Sequence, residues 1–481
     1  MDAEVAVPPP APVSAGESVP PEHTGSGAPV GPPAVPNAGA GAGAGAAVGS
    51  GPAKPAGAKP PAGKPLETVP VPPNFDLEAY ASRYTGYTKV ARLDFISRRC
   101  PGLAADAYRM ALSVLKEDIN TGGYVTLGTR AAEQFGAEAF PVDRAWVEQV
   151  DRKAAQNMDR LEQELNSYKT NLIKESIRMG YNDLGDFYYR RGDLSAALKC
   201  YARTRDYCTT NRHSAEMCLN VIKISVDLGN FVHVNNYVVK ADHTSDLNDP
   251  VVLAKVKAAA GMVCLSQREY RKAASKFVDV SPELSQTFSS VLSPEDIAVY
   301  GGLCALASFP RELLKDKVLE NPGFKNFLDL LPTVRELIND FANSRYKACM
   351  QHLEELKGEL LLDLHLYTHV EKLCRLIEDK CLIQYFSPYL SVRLPAMAEA
   401  FGMETPEMEK KVAALIIANQ MSARIDSKNA TLHMKHTEQR SASYQKVLEM
   451  GENYQRELKS MLLRMSCLEH DFIIRGPGPA G

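Results

Sequence analysis

The sequence contains no apolar run long enough to span a bilayer, and no apolar signal-peptide core follows Met1. It contains no C-x-x-C pair; its ten cysteines stand as singles. That spacing excludes the common zinc-binding patterns and fits reduced thiols in the nucleus or cytoplasm. Basic charge is not in excess: the formal net charge is −3 over 481 residues, so no global field draws the chain to nucleic acid. Neither H-E-x-x-H nor H-x-H occurs. His365 and His369 lie four apart, so one helix could carry both, but no glutamate stands beside His365. The phosphate loops G-x-x-x-x-G-K-[ST] and G-x-G-x-x-G are absent, as is the G-x-S-x-G nucleophile elbow. Carboxylate pairs such as Glu354-Glu355 read as solvated helix faces. With no catalytic constellation, the chain reads as a protein that is not an enzyme and needs no cofactor or metal.

What is present falls into dissimilar parts. Residues 1–73 are dominated by Pro, Ala, Gly and Val, with almost no large apolar side chains. Such a segment cannot bury enough surface to offset its ordering entropy, so it reads as a disordered tail. Lys54, Lys59 and Lys64 recur in it at five-residue steps and read as part of a solvated linker. Order is expected from Phe75. Asp76 can cap a helix through Leu77, Tyr80 and Tyr84. A second helix ends at Pro101-Gly102, and a third runs from Leu103 to Ile119 until Thr121-Gly122-Gly123 breaks it. Asp143 can cap a long helix that continues through Met158, Leu161, Leu165, Tyr168 and Leu172.

The stretch Tyr181 to Thr204 is the most informative. Tyr181, Leu184, Gly185 and Tyr188 form one helical face, and Leu194, Ala197, Leu198 and Tyr201 form another. Gly192 can end the first helix and Asp193 can cap the second. The pattern resembles the tetratricopeptide signature, with Tyr181 in the tryptophan place and Tyr201 in the phenylalanine place. It recurs: Leu194, Phe231, Tyr270, Phe309 and Tyr346 follow one another at steps of 37, 39, 39 and 37 residues. Three and seven residues after each marker stand Ala197 and Tyr201, Val234 and Val238, Ala273 and Phe277, and Cys349 and Leu353. Gly261 precedes Tyr270 by the same nine residues that separate Gly185 from Leu194. The Phe309 unit fits poorly, with Glu312 and Asp316 in the inward places and only Leu313 to compensate. A period near 38 built from helix pairs predicts a stacked helical solenoid over residues 74–371, because one pair cannot bury its apolar face alone.

Residues 372–436 differ. Lys372 to Tyr385 reads as an amphipathic helix, and Ser391 to Phe401 as a short one with Leu394, Met397, Ala398 and Phe401 inward. The next helix has Thr405 as cap and Pro406 at its first position, and buries Met408, Val412, Leu415 and Ile416. SARID and TLHMK around Ser427-Lys428-Asn429-Ala430 read as a β-hairpin. Three helices and a hairpin are a winged-helix order. DNA reading is disfavoured, because Glu404, Glu407 and Glu409 would meet the phosphates and Lys410 and Lys411 only partly offset them. Residues 437–470 read as one helix. Tyr444, Val447, Gly451, Tyr454, Leu458, Met461, Met465 and Leu468 alternate at steps of three and four, a narrow seam suited to docking on another helix. Residues 471–481 read as a second disordered tail.

The expected fold is thus all-α with a small β component: a tetratricopeptide-like solenoid, a winged helix and a C-terminal helix. That layout resembles PCI-domain proteins, the subunits shared by the proteasome lid, the COP9 signalosome and a translation-initiation factor. The blocks LNSYKTNLIKESIRMGYNDLGDFYY, DIAVYGGLCALASF and LIQYFSPYLSV resemble the signalosome branch of that family, most like its plant form. The sequence departs at Pro310, where the family has Asp, and in the hairpin at Lys428, Ala430, His433 and Lys435. The resemblance implies a non-catalytic scaffold in a complex that removes a ubiquitin-like modifier from cullins, with sister PCI subunits, a metal-dependent isopeptidase subunit and cullin-based ligases as partners. It implies residence in nucleus and cytoplasm. It places Arg424, Ile425, Asp426 and Leu432 at a winged-helix interface, and Tyr444, Val447, Tyr454, Leu458, Met461, Met465 and Leu468 at a helix-bundle interface. A proteasome-lid paralogue and a winged-helix nucleic-acid regulator are the alternatives.

Overall fold

The computed structural model describes residues 68–73, 75–243, 249–435, 439–470 and Phe472. The expected tails, apart from 68–73 and Phe472, and the expected boundary at 436/437 lie outside the described residues. Residues 68–73 belong with the ordered chain: Val69 and Pro72 are buried, and the Val69 N–H donates to the Arg99 carbonyl (2.9 Å).

Four helices come first: α1 (Leu77–Ser82), α2 (Gly86–Arg99), α3 (Ala104–Glu117) and α4 (Thr121–Phe135). Asp76 caps α1, as expected, but Tyr84 lies beyond its end. Helix α3 ends at Glu117, before the expected break, and Thr121-Gly122-Gly123 instead opens α4, because the Asn120 side chain accepts from the Gly123 N–H and caps the new helix. These helices pack around Leu93, Ile96, Tyr108 and Ala111, and Leu362 from far along the chain joins that core. Helix α5 (Arg144–Thr170) starts at its Asp143 cap. It stops short of Leu172, whose left-handed backbone (φ 55°) takes it out of the helix.

The repeat follows as α6 (Lys174–Arg191) with α7 (Leu194–Arg203), α8 (Asn211–Asp227) with α9 (Phe231–His243), and α10 (Pro250–Ser266) with α11 (Tyr270–Val278). After α12 (Pro294–Ser308), α13 (Arg311–Leu314) and α14 (Pro322–Leu328) comes the pair α15 (Pro332–Ala342) and α16 (Tyr346–Leu360). Leu194, Phe231, Tyr270 and Tyr346 each open the second helix of a pair. Two residues earlier the backbone is left-handed every time, at Gly192 (85°), Gly229 (70°), Arg268 (63°) and Ser344 (61°). The next N–H then reaches back five residues to a carbonyl: Asp193 to Tyr188, Asn230 to Ser225, Glu269 to Cys264 and Arg345 to Asp340, at 2.8–3.0 Å. This cap satisfies the last carbonyls of the first helix and fixes the turn. The Phe309 unit lacks it. Helix α12 runs on to Ser308, and Pro310, with φ −62°, starts the next element in extended backbone. Leu314 and Val318 are buried there, shifted from the expected places of Glu312 and Asp316, and a π turn at Lys315–Leu319 accommodates the shift.

Helix pairs approach closely at glycine. A Cβ on Gly185 would stand 2.8 Å from the Tyr201 ring, and one on Gly261 would stand 2.7 Å from the Phe277 ring. Both rings are buried. Gly261→Ala should therefore cost about 1–3 kcal/mol through overpacking, despite alanine's better helix propensity. Urea unfolding that leaves the midpoint unchanged would contradict this contact.

The remaining elements are α17 (Val370–Phe386), β1 (Ser391–Arg393), α18 (Leu394–Phe401), α19 (Thr405–Ile417), β2 (Ala423–Asp426), β3 (Thr431–Met434) and α20 (Gln439–Glu469). Two details differ from expectation. Ser391–Arg393 is a strand rather than helix, because it pairs with β3. Helix α19 is flanked by Glu404 at the cap position, with Thr405 inside the helix and Pro406 second. The sheet order is β1-β3-β2, antiparallel throughout, with Val392 and Ile425 both opposite Leu432. The fold is mostly helical, with a repeat ladder, a winged-helix part and a long terminal helix. One buried core runs from Tyr189 in the ladder to Leu432 in the sheet, across the expected boundary at 371/372.

An ionic knot joins the first helices to the ladder. Arg92 of α2 is 1% exposed. Its guanidinium donates to Asp296 at the start of α12 (2.9 Å), to Asp363 after α16 (2.7 Å) and to the Tyr80 hydroxyl (2.8 Å). The Tyr84 hydroxyl donates to Asp296 (2.6 Å) and the Tyr300 hydroxyl to Asp363 (2.7 Å). Burial pushes Asp296 up to about 6 against the pull of Arg92. Burial also opposes the charge on Asp363, yet Arg92, His365 and the Tyr300 hydroxyl together hold its carboxyl below the ordinary range.

Candidate assembly surface

The winged-helix sheet offers an edge. Strand β3 is paired on both sides, so the outer side of β2, carrying Arg424, Ile425 and Asp426, is unpaired among the described residues. Free strand edges present backbone donors and acceptors to an incoming strand. Arg424 is exposed, while Ile425 and Asp426 are half-buried. A cleft of about 520 Å³ lies over this hairpin, lined by Arg424, Ile425, Asp426, His433, Met434 and Lys435. Asp426 shapes the hairpin. Its carboxylate accepts from the Asn429 amide (2.8 Å) and from the Lys428 N–H (3.1 Å), and these bonds, the Asn429 amide first, hold its pKa below the ordinary range.

Leu432 lies elsewhere. It is completely buried in the core at the middle strand, so its side chain supports the sheet from within rather than reaching out from it. The sequence reading also missed Tyr389 and Leu390, which are 47% and 64% exposed just before β1. The sequence reading leaves them unassigned, between the helix ending near Tyr385 and the one expected from Ser391. Ile417 at the end of α19 is 82% exposed. On α19 itself Lys411 is engaged by Glu378 and by Glu407 (2.9 Å), which removes it as a free phosphate contact.

Helix α20 is the second part of the surface. It spans 31 residues, and of its side chains described here only Cys467 is even half-covered. Tyr444, Val447, Tyr454, Leu458, Met461, Met465 and Leu468 are 40–69% exposed. Leu448 and Leu462, four residues beyond Tyr444 and Leu458, are exposed as well, as is Met450, so the seam is a broader stripe than its heptad suggests. That signal was present in the sequence at i+4 spacing. Helices in proteins draw most of their stability from packing an apolar face, and an uncovered apolar stripe of this size marks an interaction surface.

His365 and His369 do not share a helix. His365 lies in the turns before α17, and His369 occupies the residue just before that helix. Burial and Arg92 push His365 down to about 4, while His369 accepts or donates at Nδ1 with the Tyr270 hydroxyl (3.3 Å). Among the described residues no group of three or more His, Cys, Asp or Glu is placed to hold a metal ion, and no described helix is long and apolar enough to cross a membrane.

Comparison with known proteins bears on both parts. Residues 143–317 match the family model described as 26S proteasome subunit RPN7, and residues 351–436 match that of the PCI domain. Residues 439–465 match a model described as COP9 signalosome complex subunit 1, C-terminal helix. COP9 signalosome complex subunit 1 of Arabidopsis thaliana is 50% identical over 83% of this chain and 91% of its own length. Subunit 1b of Drosophila melanogaster is 37% identical over 82% of this chain and 86% of its own. The 26S proteasome non-ATPase regulatory subunit 6 of Oryza sativa is 23% identical over 71% of this chain and 86% of its own.

Proposed function

The chain belongs to the family of COP9 signalosome subunit 1, and from that membership we propose that it is a non-catalytic scaffold subunit of the complex. In this reading it supports removal of a ubiquitin-like modifier from cullin subunits of ubiquitin ligases, in nucleus and cytoplasm. The winged-helix part, residues 372–436, joins sister PCI subunits side by side through the free β2 edge. The helix of residues 437–470 enters a bundle of sister helices. The ladder, residues 74–371, meets cullin ligases or regulatory partners, and the isopeptidase chemistry is supplied by a different subunit.

The observation that carries this is the uncovered apolar stripe of α20, in the stretch matched by the signalosome C-terminal helix model. A proteasome-lid role draws on the RPN7 match and on relatives of far lower identity. A nucleic-acid role is opposed by the engaged Lys411 and the acidic start of α19.

Affinity purification of the full chain from its own cells, with quantification of stoichiometric partners, tests the assignment. Sister PCI subunits together with a metal-dependent isopeptidase are expected. Recovery of proteasome ATPases at equal stoichiometry, or of the chain alone, would overturn it.

A further inference from the structure

The first helices of three successive pairs, α6, α8 and α10, place Glu216 and four further polar side chains around one groove of about 370 Å³: Asn182, Asn220, Lys223 and Lys255. That volume falls in the range of ligand pockets. Asn182 and Asn220 are 38 residues apart, one full repeat, so the groove follows the ladder's own period. None of the four side chains has a hydrogen bond or ion pair to another described residue, and the Asn182 Oδ1 is buried without a partner. Unpaired buried acceptors are rare and call for an explanation.

The charges of the groove are not balanced. Glu216 also lines it, but Arg212 (3.3 Å) and Arg178 (3.7 Å) already engage that carboxylate. Lys223 lies over the Tyr189 ring, 4.0 Å from its centre, with no carboxylate within ion-pair distance. Burial holds its pKa below the ordinary lysine value, opposed by the more distant Asp227 and Asp186. A partly desolvated ammonium of this kind gains from a bound anion. The groove thus offers two cations for negative charge, with the side-chain amides of Asn182 and Asn220 one repeat apart beside them. A free phosphate satisfies only the cations, whereas an acidic peptide brings carboxylates for the lysines and backbone groups for the asparagine amides.

We propose that this groove binds an extended acidic peptide segment of a partner protein, with Asn182 and Asn220 holding its backbone and Lys223 and Lys255 its carboxylates. The proposal does not depend on the scaffold reading, because no residue of the groove belongs to the winged helix or to α20.

The test uses the full chain, purified with whatever subunits accompany it. The probe is a fluorescent hexapeptide library with free C-termini and Asp or Glu fixed at the last two positions. Its twin carries Asn or Gln at those positions and an amidated end. Saturable binding of the acidic library alone is expected. Lys223→Gln and Lys255→Gln should each weaken it about tenfold, as loss of a hydrogen bond to a charged group predicts. Asn182→Ala should weaken binding of the acidic library as well. Unchanged unfolding midpoints in the two lysine variants would separate these losses from misfolding. Three results overturn the proposal: equal binding of the two libraries, no saturation by about 1 mM, or displacement of the acidic peptides by inorganic phosphate at equal concentration. The last would mark a free-anion site.

Discussion

Arg92→Ala should cost about 3–5 kcal/mol of stability, the loss expected when one partner is taken from a buried ionic cluster. The substitution leaves Asp296 and Asp363 facing the same desolvated space with no cation between them. It also removes the group over which the Tyr84 ring packs, 4.1 Å from the guanidinium carbon. The loss should depend on pH with a definite sign. In the native cluster Arg92 and its neighbours hold Asp363 below its unfolded value and keep the rise of Asp296 to about 6. Without Arg92 both carboxyls are raised above theirs by burial and mutual repulsion, so the folded variant binds protons that the unfolded chain releases. Its stability therefore increases as pH falls from about 7 toward 4. Urea unfolding of wild type and variant at pH 8 and pH 5 should show the larger gap at pH 8. Adding Asp296→Asn and Asp363→Asn to Arg92→Ala should recover part of the loss. A variant as stable as wild type at pH 8 would refute the role given to the knot.

Leu458→Asp combined with Met465→Asp should abolish incorporation of the chain into its complex while leaving its own fold intact. Both side chains are exposed in the isolated chain, at 40% and 61%. Their replacement by charge should thus change the unfolding free energy by less than about 1 kcal/mol for the pair. In a helix bundle each would bury apolar surface worth about 1.5–3 kcal/mol, so the pair removes about 3–6 kcal/mol of association before the cost of burying two carboxylates. Native mass spectrometry of co-expressed subunits reads the outcome. An intact assembly containing the double variant would remove α20 from the interface. Glu449→Lys, on the polar side of the helix, serves as the control and should be incorporated normally.

The sequence made the ladder legible because its turns recur. Leu194, Phe231, Tyr270 and Tyr346 mark four helix starts, and the buried positions after them are the ones the spacing indicated. The left-handed residues were only half visible. Gly192 and Gly229 announce such a turn, but Arg268 and Ser344 adopt the same backbone without a glycine to signal it. Helix α4 was concealed by two glycines in its first turn, where the Asn120 cap offsets their poor propensity. Strand β1 was concealed by its length, since three residues hold no alternation and only the partner strand defines them. The Arg92 knot was beyond reach, because its two carboxylates stand 204 and 271 residues away in the chain. The α20 seam, in contrast, is local, and only its breadth was underestimated.

The unbroken core between ladder and sheet has a consequence for how this protein can be divided. Modules that can be exchanged or cut apart carry separate cores joined by an exposed linker. Here Ile377 and Cys381 of α17 are buried in the same mass as Phe341 of α15 and Met397 of α18, so a cut at 371/372 would strip apolar surface from both sides. Helix α20 shares no part of that mass. The natural seam of the molecule thus lies after the sheet. A chain ending there would keep its interior whole and lose only the piece that reaches outward, so among the described helices the last can be deleted without unfolding the rest.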